Sequence, residues 1–189
     1  MNQKETILAG ERWEEKPVNE FPGGLFDRIG EDWMLITCGD TSNAASQRGN
    51  WNTMTASWGG LGVLWGKDVA FIFIRPCRHT FGFVNSASLF SLSFFDESKR
   101  EALKICGEQS GRDIDKATVS NLTPVVFDGG TANGAIGFKE AREIIICRKL
   151  YTHDFDPGKF LDSPGTEKHY PNKDYHRVFI GEIISVKTR

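Results

Sequence analysis

The sequence predicts a mainly β protein, an antiparallel barrel with a few short helices. Six or seven segments of the 189-residue chain have the composition of strands, with aromatic and β-branched residues between turn-forming ones. Only two or three short segments have helical spacing, and they do not alternate regularly with the strands. This order argues against a parallel doubly wound sheet and for an antiparallel barrel. The 20 glycines and 14 phenylalanines are consistent with a β-rich chain that has many turns.

The first part of the chain supplies three of the predicted strands. Residues 1–30 are polar and contain Pro17, Pro22 and the pair Gly23-Gly24, so we expect an irregular lead-in. The segments 32–38 and 51–58 predict a hairpin whose strands are joined by a long loop of small residues. A Gly-rich stretch follows, and then the continuous apolar run 69–74 predicts a strand buried on both faces.

The middle of the chain mixes helices and strands. Pro76 ends the buried strand, and a short helix is expected behind it. Residues 90–95 predict a strand, and 96–110 predict a helix, with Asp96 and Ser98 as possible caps. Residues 122–127 predict one more strand before a Gly-rich turn.

The last part of the chain contains a long strand, a long loop and a closing strand. The long strand is predicted over 141–151, and the closing segment 176–187 reads as a strand pair or one strand bent near Gly181. Between them, residues 152–177 are rich in Asp, Pro, Gly and Lys and predict a loop. A loop of that length suggests a lid over a site or a contact with a partner. We expect one domain over 1–189.

Composition excludes several classes of protein. The formal charge of −2 gives no reason to expect nucleic acid or an anionic membrane as a partner. No window approaches the roughly 18 consecutive apolar residues that span a bilayer. The N-terminus has no apolar segment of signal-peptide length, so cytoplasmic localisation is expected.

Cysteines and histidines do not form a metal-binding pattern. The four cysteines are widely spaced, which predicts reduced thiols, three of them buried. The histidines lack the i, i+4 spacing of a helical metal site, so we expect no protein-bound metal. The chain also lacks a G-x-G-x-x-G turn, a P-loop and a G-x-S-x-G elbow.

The first segment with chemical meaning is the strand 52–58, of sequence NTMTASW. Alternation places Thr53, Thr55 and Ser57 on one face, and Asn52, Met54, Ala56 and Trp58 on the other. The row of hydroxyls fits a solvent-facing surface. It also fits a row of small donors beside a planar polar ligand, which the Gly59-Gly60 pair would allow to approach closely.

The second segment is RPCRHT, residues 75–80. Arginine, histidine and threonine meet where a buried strand ends and a helix is expected to start. A helix N-terminus offers free N–H groups and a positive dipole end to a phosphate. Arg78 would add a charge-assisted contact and Thr80 a hydroxyl. The alternative is a solvated turn in which Thr80 only caps the helix.

Together the two segments resemble the flavin reductase-like family, which includes flavoredoxins and the reductase components of two-component monooxygenases. The resemblance rests on N-x-M-T-A-S-W followed some twenty residues later by R-P-x-R-[HY]-T. It extends through VNSASLFSLSFF, EAREIIICRKL and HRVFIGEII, and covers about residues 25–189. The resemblance implies an FMN-binding split barrel of antiparallel Greek-key type, usually a homodimer with the flavin near the subunit interface.

The same resemblance implies the site residues. The flavin ring and ribityl chain would be lined from the strand by Asn52, Thr53, Met54, Thr55, Ser57 and Trp58. The phosphate would be held by Arg78, His79 and Thr80, although many relatives have tyrosine at the position of His79. His176 would approach the flavin or the nicotinamide, or else be a partly exposed loop histidine. The segment before His176 is longer than in relatives.

The implied activity is that of an NAD(P)H-dependent FMN reductase, with NADH or NADPH as electron donor. The cofactor supplies the redox chemistry, and the protein supplies binding and a polar environment. The alternative is a flavoredoxin-like carrier that holds FMN and exchanges electrons with redox protein partners. A third hypothesis is that the protein is a member of the family that has lost flavin and kept a structural role. The intact NTMTASW and RPCRHT segments argue against it.

Overall fold

The computed structural model describes residues 7–8, 11–12, 24–40 and 50–188. Within these residues the strands are Ile7–Leu8 (β1), Glu11–Arg12 (β2), Met34–Gly39 (β3), Trp51–Ala56 (β4), Gly59–Leu64 (β5), Lys67–Ile74 (β6), Leu89–Phe94 (β7), Pro124–Phe127 (β8), Ala135–Phe138 (β9), Glu143–Asp154 (β10) and Arg177–Thr188 (β11). The α-helices are Leu25–Gly30 (α1), His79–Ser86 (α2), Arg100–Glu108 (α3), Lys116–Val119 (α4) and Ser163–His169 (α5).

Seven strands form one antiparallel sheet in the order β4-β3-β7-β10-β11-β6-β5. Its two edge strands, β4 and β5, are consecutive in the chain. If the sheet were flat, six strand spacings would separate these edges by roughly 29 Å. Only Ser57 and Trp58 join Ala56 to Gly59, so the edges are at most roughly 11 Å apart there. The sheet must therefore curl into a barrel whose seam lies between β4 and β5.

The seam is closed by packing at the start of β5. A Cβ on Gly59 would lie 2.7 Å from the Phe71 carbonyl oxygen and 3.2 Å from the Met34 Cε atom of β3. The residue at this point must therefore be glycine, because any side chain would push β5 away from β3 and β6. The fold is the split barrel that the sequence predicts.

Successive side chains of β3 point alternately into two different hydrophobic cores. Met34, Ile36 and Cys38 face the barrel interior, where they pack with apolar residues of β4, β6, β7, β10 and α2. Leu35 faces the outer side of the sheet, where α3, α4 and the small β8–β9 sheet cover it. Both faces of the central strands are thus buried, which is why β7 is buried along most of its length.

The predicted strands are present with shifted ends, and several elements are additional. The Gly-rich stretch after β4 forms the edge strand β5, and the segment after the Gly-rich turn forms β9. The helix expected over 96–110 consists of a 3-10 turn at Glu97–Lys99 followed by α3. The closing segment is one continuous strand, β11. The loop between the first two predicted strands falls mostly on 41–49, outside the described residues.

Two predicted irregular regions contain regular structure. The lead-in 1–30 is not irregular throughout, because it includes β1, β2 and α1. The loop predicted over 152–177 is shorter, because β10 continues to Asp154, and it contains α5. Asp162 caps α5 by accepting a hydrogen bond from the Gly165 N–H, and Pro164 occupies its first turn. Both are helix-start signals that the composition of the segment obscured.

The four cysteines are free, and three of them are buried: Cys38, Cys106 and Cys147. This confirms the prediction of three buried thiols. Within the described part of the chain, no group of His, Cys, Asp or Glu is arranged to hold a metal ion. The same residues include no helix that is long and apolar enough to cross a membrane.

Candidate functional site

A cavity of about 350 Å³ lies beside the end of β4. One wall is the segment from Met54 to Trp58, and the facing wall is α3. The lining is completed by Phe73 of β6, by two arginines of the segment after β6, and by Trp33 and His176, which directly precede β3 and β11. The full set of lining residues is Trp33, Met54, Thr55, Ala56, Ser57, Trp58, Phe73, Arg75, Arg78, Leu103, Lys104, Gly107, Glu108 and His176. We refer to it as the central cavity.

Hydrogen bonds from Thr55 and Lys116 join strand β4 to helix α3. The Thr55 hydroxyl donates to the Leu103 carbonyl oxygen at 2.5 Å. The Lys116 Nζ donates to the carbonyl oxygens of Thr53 (2.9 Å) and Cys106 (2.7 Å). Burial lowers the pKa of Lys116 to about 8. These bonds fix the distance between β4 and α3. Thr55 links the two elements directly, and Lys116 of α4 bridges the backbone of Thr53 on β4 and that of Cys106 on α3.

A second buried hydrogen bond connects Asn52 to Thr80. The Asn52 Nδ2 donates to the Thr80 Oγ1 at 2.8 Å, so the strand β4 is tied to helix α2. A Cβ on Gly111 would lie 2.1 Å from the Asn52 Oδ1, so glycine is required where the chain passes this amide. Both side chains are buried and neither lines the central cavity. They hold the two sequence segments against each other.

Arg78 joins the central cavity to a neighbouring cavity of about 670 Å³. Its Nη2 donates to the Gly107 carbonyl oxygen at 2.5 Å. His79, the first residue of α2, and Arg112 also line the neighbouring cavity. Burial lowers the pKa of His79, and the positive charges of Arg112 and Lys116 lower it further. This neighbouring cavity, which we call the basic cavity, concentrates positive charge at a helix N-terminus.

His176 lies at the opposite end of the central cavity. It is buried, with 7% of its surface exposed, and its Nδ1 lies 2.7 Å from the Tyr170 hydroxyl oxygen. Burial lowers the pKa of His176 to about 4, and the positive charge of Arg75 contributes. The imidazole is therefore neutral at physiological pH. Its ring packs against Trp58, with 5.3 Å between ring centroids.

Arg75 holds the segment 155–176 against the barrel. Its guanidinium forms an ion pair with Asp174 at 3.0 Å and donates to the His169 carbonyl oxygen at 2.8 Å. The same guanidinium lies 5.2 Å from the centre of the Tyr170 ring. The segment 155–176, which belongs to the loop predicted from the sequence, is thus anchored at the rim of the central cavity.

The structure brings together most of the residues that the sequence singled out. The side chains of Met54, Thr55, Ser57, Trp58, Arg78 and His176 line one cavity, and His79 lines the adjoining one. Asn52, Thr53 and Thr80 lie behind it as a buried hydrogen-bonded layer. Sequence reasoning missed the residues that α3 and the loop after it supply, among them Leu103, Gly107 and Arg112. The helical spacing of α3 was visible, but nothing local indicated which strand it faces.

Comparison with known proteins decides the family. A family model described as the flavin reductase like domain matches residues 26–189. The chain belongs to the flavin reductase-like family. A search among curated proteins found no match.

Solved structures share the fold of this family at low sequence identity. An FMN-binding protein from Thermus thermophilus is 19% identical, with a TM-score of 0.62, over 94% of this chain and 82% of that one. A flavoredoxin of Desulfovibrio vulgaris is 19% identical, with a TM-score of 0.61, over 93% and 77%. An NADH:FAD oxidoreductase from Streptomyces globisporus, in complex with NAD and FAD fragments, is 15% identical, with a TM-score of 0.57, over 84% and 74%.

Proposed function

We propose that the chain binds FMN with its ring in the central cavity and its phosphate in the basic cavity. The observation that carries this proposal is that a cavity lined by β4 and α3 adjoins a second cavity at the start of α2, and that Arg78 lines both of them. The central cavity combines apolar side chains, small hydroxyls and two tryptophans with two arginines, a lysine and a glutamate, and this mixture suits a flat aromatic ring with polar edges. The basic cavity offers Arg78 and His79 at the start of α2 and Arg112 from the loop after α3, which outnumber its single acidic residue, Asp40, and suit a phosphate dianion.

The residues of the site then have separate roles. The segment from Met54 to Trp58 would present its small side chains and backbone to the ring, without a bulky charged group from the strand. Arg78 would contact the phosphate and, through its bond to the Gly107 carbonyl, keep α3 in place. Asn52 and Thr80 would position these two contacts relative to each other rather than touch the flavin. The similarity of fold to an FMN-binding protein supports FMN as the ligand.

Bound FMN supplies two-electron and one-electron redox chemistry, and the protein needs no general acid of its own for it. Hydrogen-bond donors along 54–58 would stabilise the negative charge that the ring gains on reduction. His176 is neutral, so it can orient a ligand by a hydrogen bond but cannot contribute an imidazolium charge at neutral pH. Its bond to the Tyr170 hydroxyl fixes the orientation of the imidazole ring.

We propose further that the activity is NAD(P)H-dependent flavin reduction. The similarity of fold to an NADH:FAD oxidoreductase supports a nicotinamide donor. The test is to record the visible spectrum of purified protein with FMN and then add NADH and NADPH anaerobically in turn. Rapid bleaching with one nucleotide supports the reductase and names its donor. A protein that binds no FMN contradicts both parts of the proposal.

The second candidate is a flavoredoxin-like electron carrier, supported by the similarity of fold to a flavoredoxin. A carrier would retain FMN through gel filtration, ignore both nicotinamide nucleotides, and accept electrons from a reduced ferredoxin. The same anaerobic titration therefore separates the two functions. The predicted homodimer stays a prediction, which light scattering of the flavin-loaded protein would test.

The Arg112→Gln variant tests where the phosphate binds, because Arg112 lines the basic cavity and does not line the central cavity. Loss of one charge-assisted contact should weaken FMN binding by roughly 10- to 100-fold. Riboflavin, which has the same ring and no phosphate, should bind the variant and the wild type within about threefold. Arg148→Gln is the matched control, because Arg148 is an exposed arginine that pairs with Glu182 on the barrel surface. Equal weakening of FMN and riboflavin binding by Arg112→Gln would disprove the phosphate assignment.

A further inference from the structure

A third cavity adjoins the central cavity and has no role in the proposed flavin site. Its volume is about 640 Å³, and it shares Ser57, Trp58, Phe73 and His176 with the central cavity. Its other walls come from α1, from the start of β5 and from the segment 155–176. A molecule in this cavity would therefore contact residues that also border the flavin ring.

The lining of this cavity is aromatic and uncharged. Phe26 of α1, Phe155 and Tyr170 add three rings to those of Trp58 and Phe73. Among its lining residues, all of them described, there is no Asp, Glu, Lys or Arg. The central cavity, by contrast, includes two arginines, a lysine and a glutamate. A charged ligand would lose its hydration in the third cavity without gaining a partner, and this favours neutral ligands. We call it the aromatic cavity.

Few polar groups in the aromatic cavity are available to a ligand. The Tyr170 hydroxyl and the His176 Nδ1 already bond to each other. His176 is uncharged because burial lowers its pKa to about 4. The Ser57 hydroxyl and the His169 imidazole are the further polar side chains of its lining. This composition suits a flat ring with one or two polar substituents.

The outer wall of the aromatic cavity is held in place by contacts within the protein. Phe155 packs against Phe160 and Phe73, with 5.9 Å and 5.6 Å between ring centroids. His169 packs edge-on against Trp58, at 5.4 Å. The ion pair of Arg75 with Asp174 anchors the same segment. A ligand would therefore meet a preorganised wall and would not bear the entropic cost of ordering it.

We infer that the aromatic cavity binds a neutral, planar aromatic molecule, and that a neutral quinone bound there accepts electrons from the flavin in the central cavity. The accepting role rests on the proposed function, whereas the binding does not. Reduction of a quinone to a hydroquinone takes two electrons and two protons. The reduced flavin supplies a hydride, which carries both electrons and one proton, and the solvent supplies the other proton.

The binding test uses two bicyclic probes of equal shape, neutral 2-naphthamide and anionic 2-naphthoate, with FMN-saturated protein in a calorimeter. We expect 2-naphthamide to bind at least about tenfold more tightly than 2-naphthoate. Phe26→Lys places a cation at the cavity wall and should reverse this preference. Phe26 is 54% exposed, so the substitution does not disturb the core. Leu161→Lys is the matched control, because Leu161 is fully exposed and lines no cavity described above.

The accepting role is tested with duroquinone, a neutral and fully substituted quinone, and with ferricyanide, a trianion. Phe26→Lys should slow duroquinone reduction by reduced protein at least about fivefold, whereas ferricyanide reduction should be as fast as in the wild type or faster, because the added cation attracts the trianion. Equal binding of the two naphthalene probes to the wild type, or an unchanged preference in Phe26→Lys, overturns the inference. Failure of the protein to take up FMN is a separate result, which contradicts the proposed function instead.

Discussion

Replacing His176 by glutamine should make the fold less sensitive to acid. In the folded protein the pKa of His176 is lowered to about 4 from its usual 6.5, mainly by burial. Between these pH values the unfolded chain binds a proton that the folded chain does not. The stability that the neutral imidazole contributes is therefore complete above pH 6.5 and is lost as the pH falls toward 4.

The size of the effect follows from these two pKa values. Between pH 7.5 and pH 5, the free energy of unfolding should fall by about 2 kcal/mol through His176 alone. Carboxylates add to the acid sensitivity of the whole protein, because the pKa values of Asp154 and Asp174 are lowered by hydrogen bonds from Arg177 and Arg75. These carboxylates are present in both proteins, so the difference between wild type and variant isolates the histidine.

The assay is urea unfolding of flavin-free protein at pH 7.5 and pH 5, followed by tryptophan fluorescence. His176→Gln should lose about 2 kcal/mol less than the wild type between the two pH values. His153→Gln is the matched control, because His153 is exposed on β10, and it should behave as the wild type does. If His176→Gln loses as much stability as the wild type, to within about 0.5 kcal/mol, then the imidazole is not held neutral by burial and the reasoning fails.

Two further predictions concern packing. Gly181→Ala should destabilise the barrel by about 1–3 kcal/mol, because the added Cβ would lie 2.6 Å from ring carbons of Phe90 on β7. Gly82→Ala is its control: no atom lies within 4 Å of the added Cβ, and thermal unfolding should show an unchanged or more stable protein. Arg75→Gln should release the segment 155–176, so that limited proteolysis cuts it faster than in the wild type while the barrel stays intact. Arg148→Gln should leave the cleavage rate unchanged, and a resistant Arg75→Gln protein would show that the aromatic contacts alone hold the segment.

The strand β4 shows how far local sequence information reaches. Alternation in NTMTASW predicted two faces, and the structure places Met54 and Ala56 in the barrel core while Thr55 bonds to α3. The same pattern could not tell a solvated row of hydroxyls from a buried one. That distinction depends on α3 and Lys116, which lie about 50 to 60 residues further along the chain.

The long segment before His176 shows the opposite case. Its composition predicted a loop, and the capping by Asp162 that starts α5 is a local signal that was present but weak. No local signal indicated that Asp174 would pair with Arg75, 99 residues earlier, because that contact exists only after β6 and β11 have paired.

The sequence by itself determined the mainly β class, the family and the two segments that form the site. Strand periodicity, turn residues and short motifs are properties of consecutive residues, so they can be recognised without knowledge of the fold. The tertiary structure alone decided which cavities exist, that His176 is buried and neutral, and that an uncharged aromatic cavity adjoins the central cavity. These properties are set by residues far apart in the chain, because burial and desolvation depend on what packs around a group rather than on its neighbours in sequence.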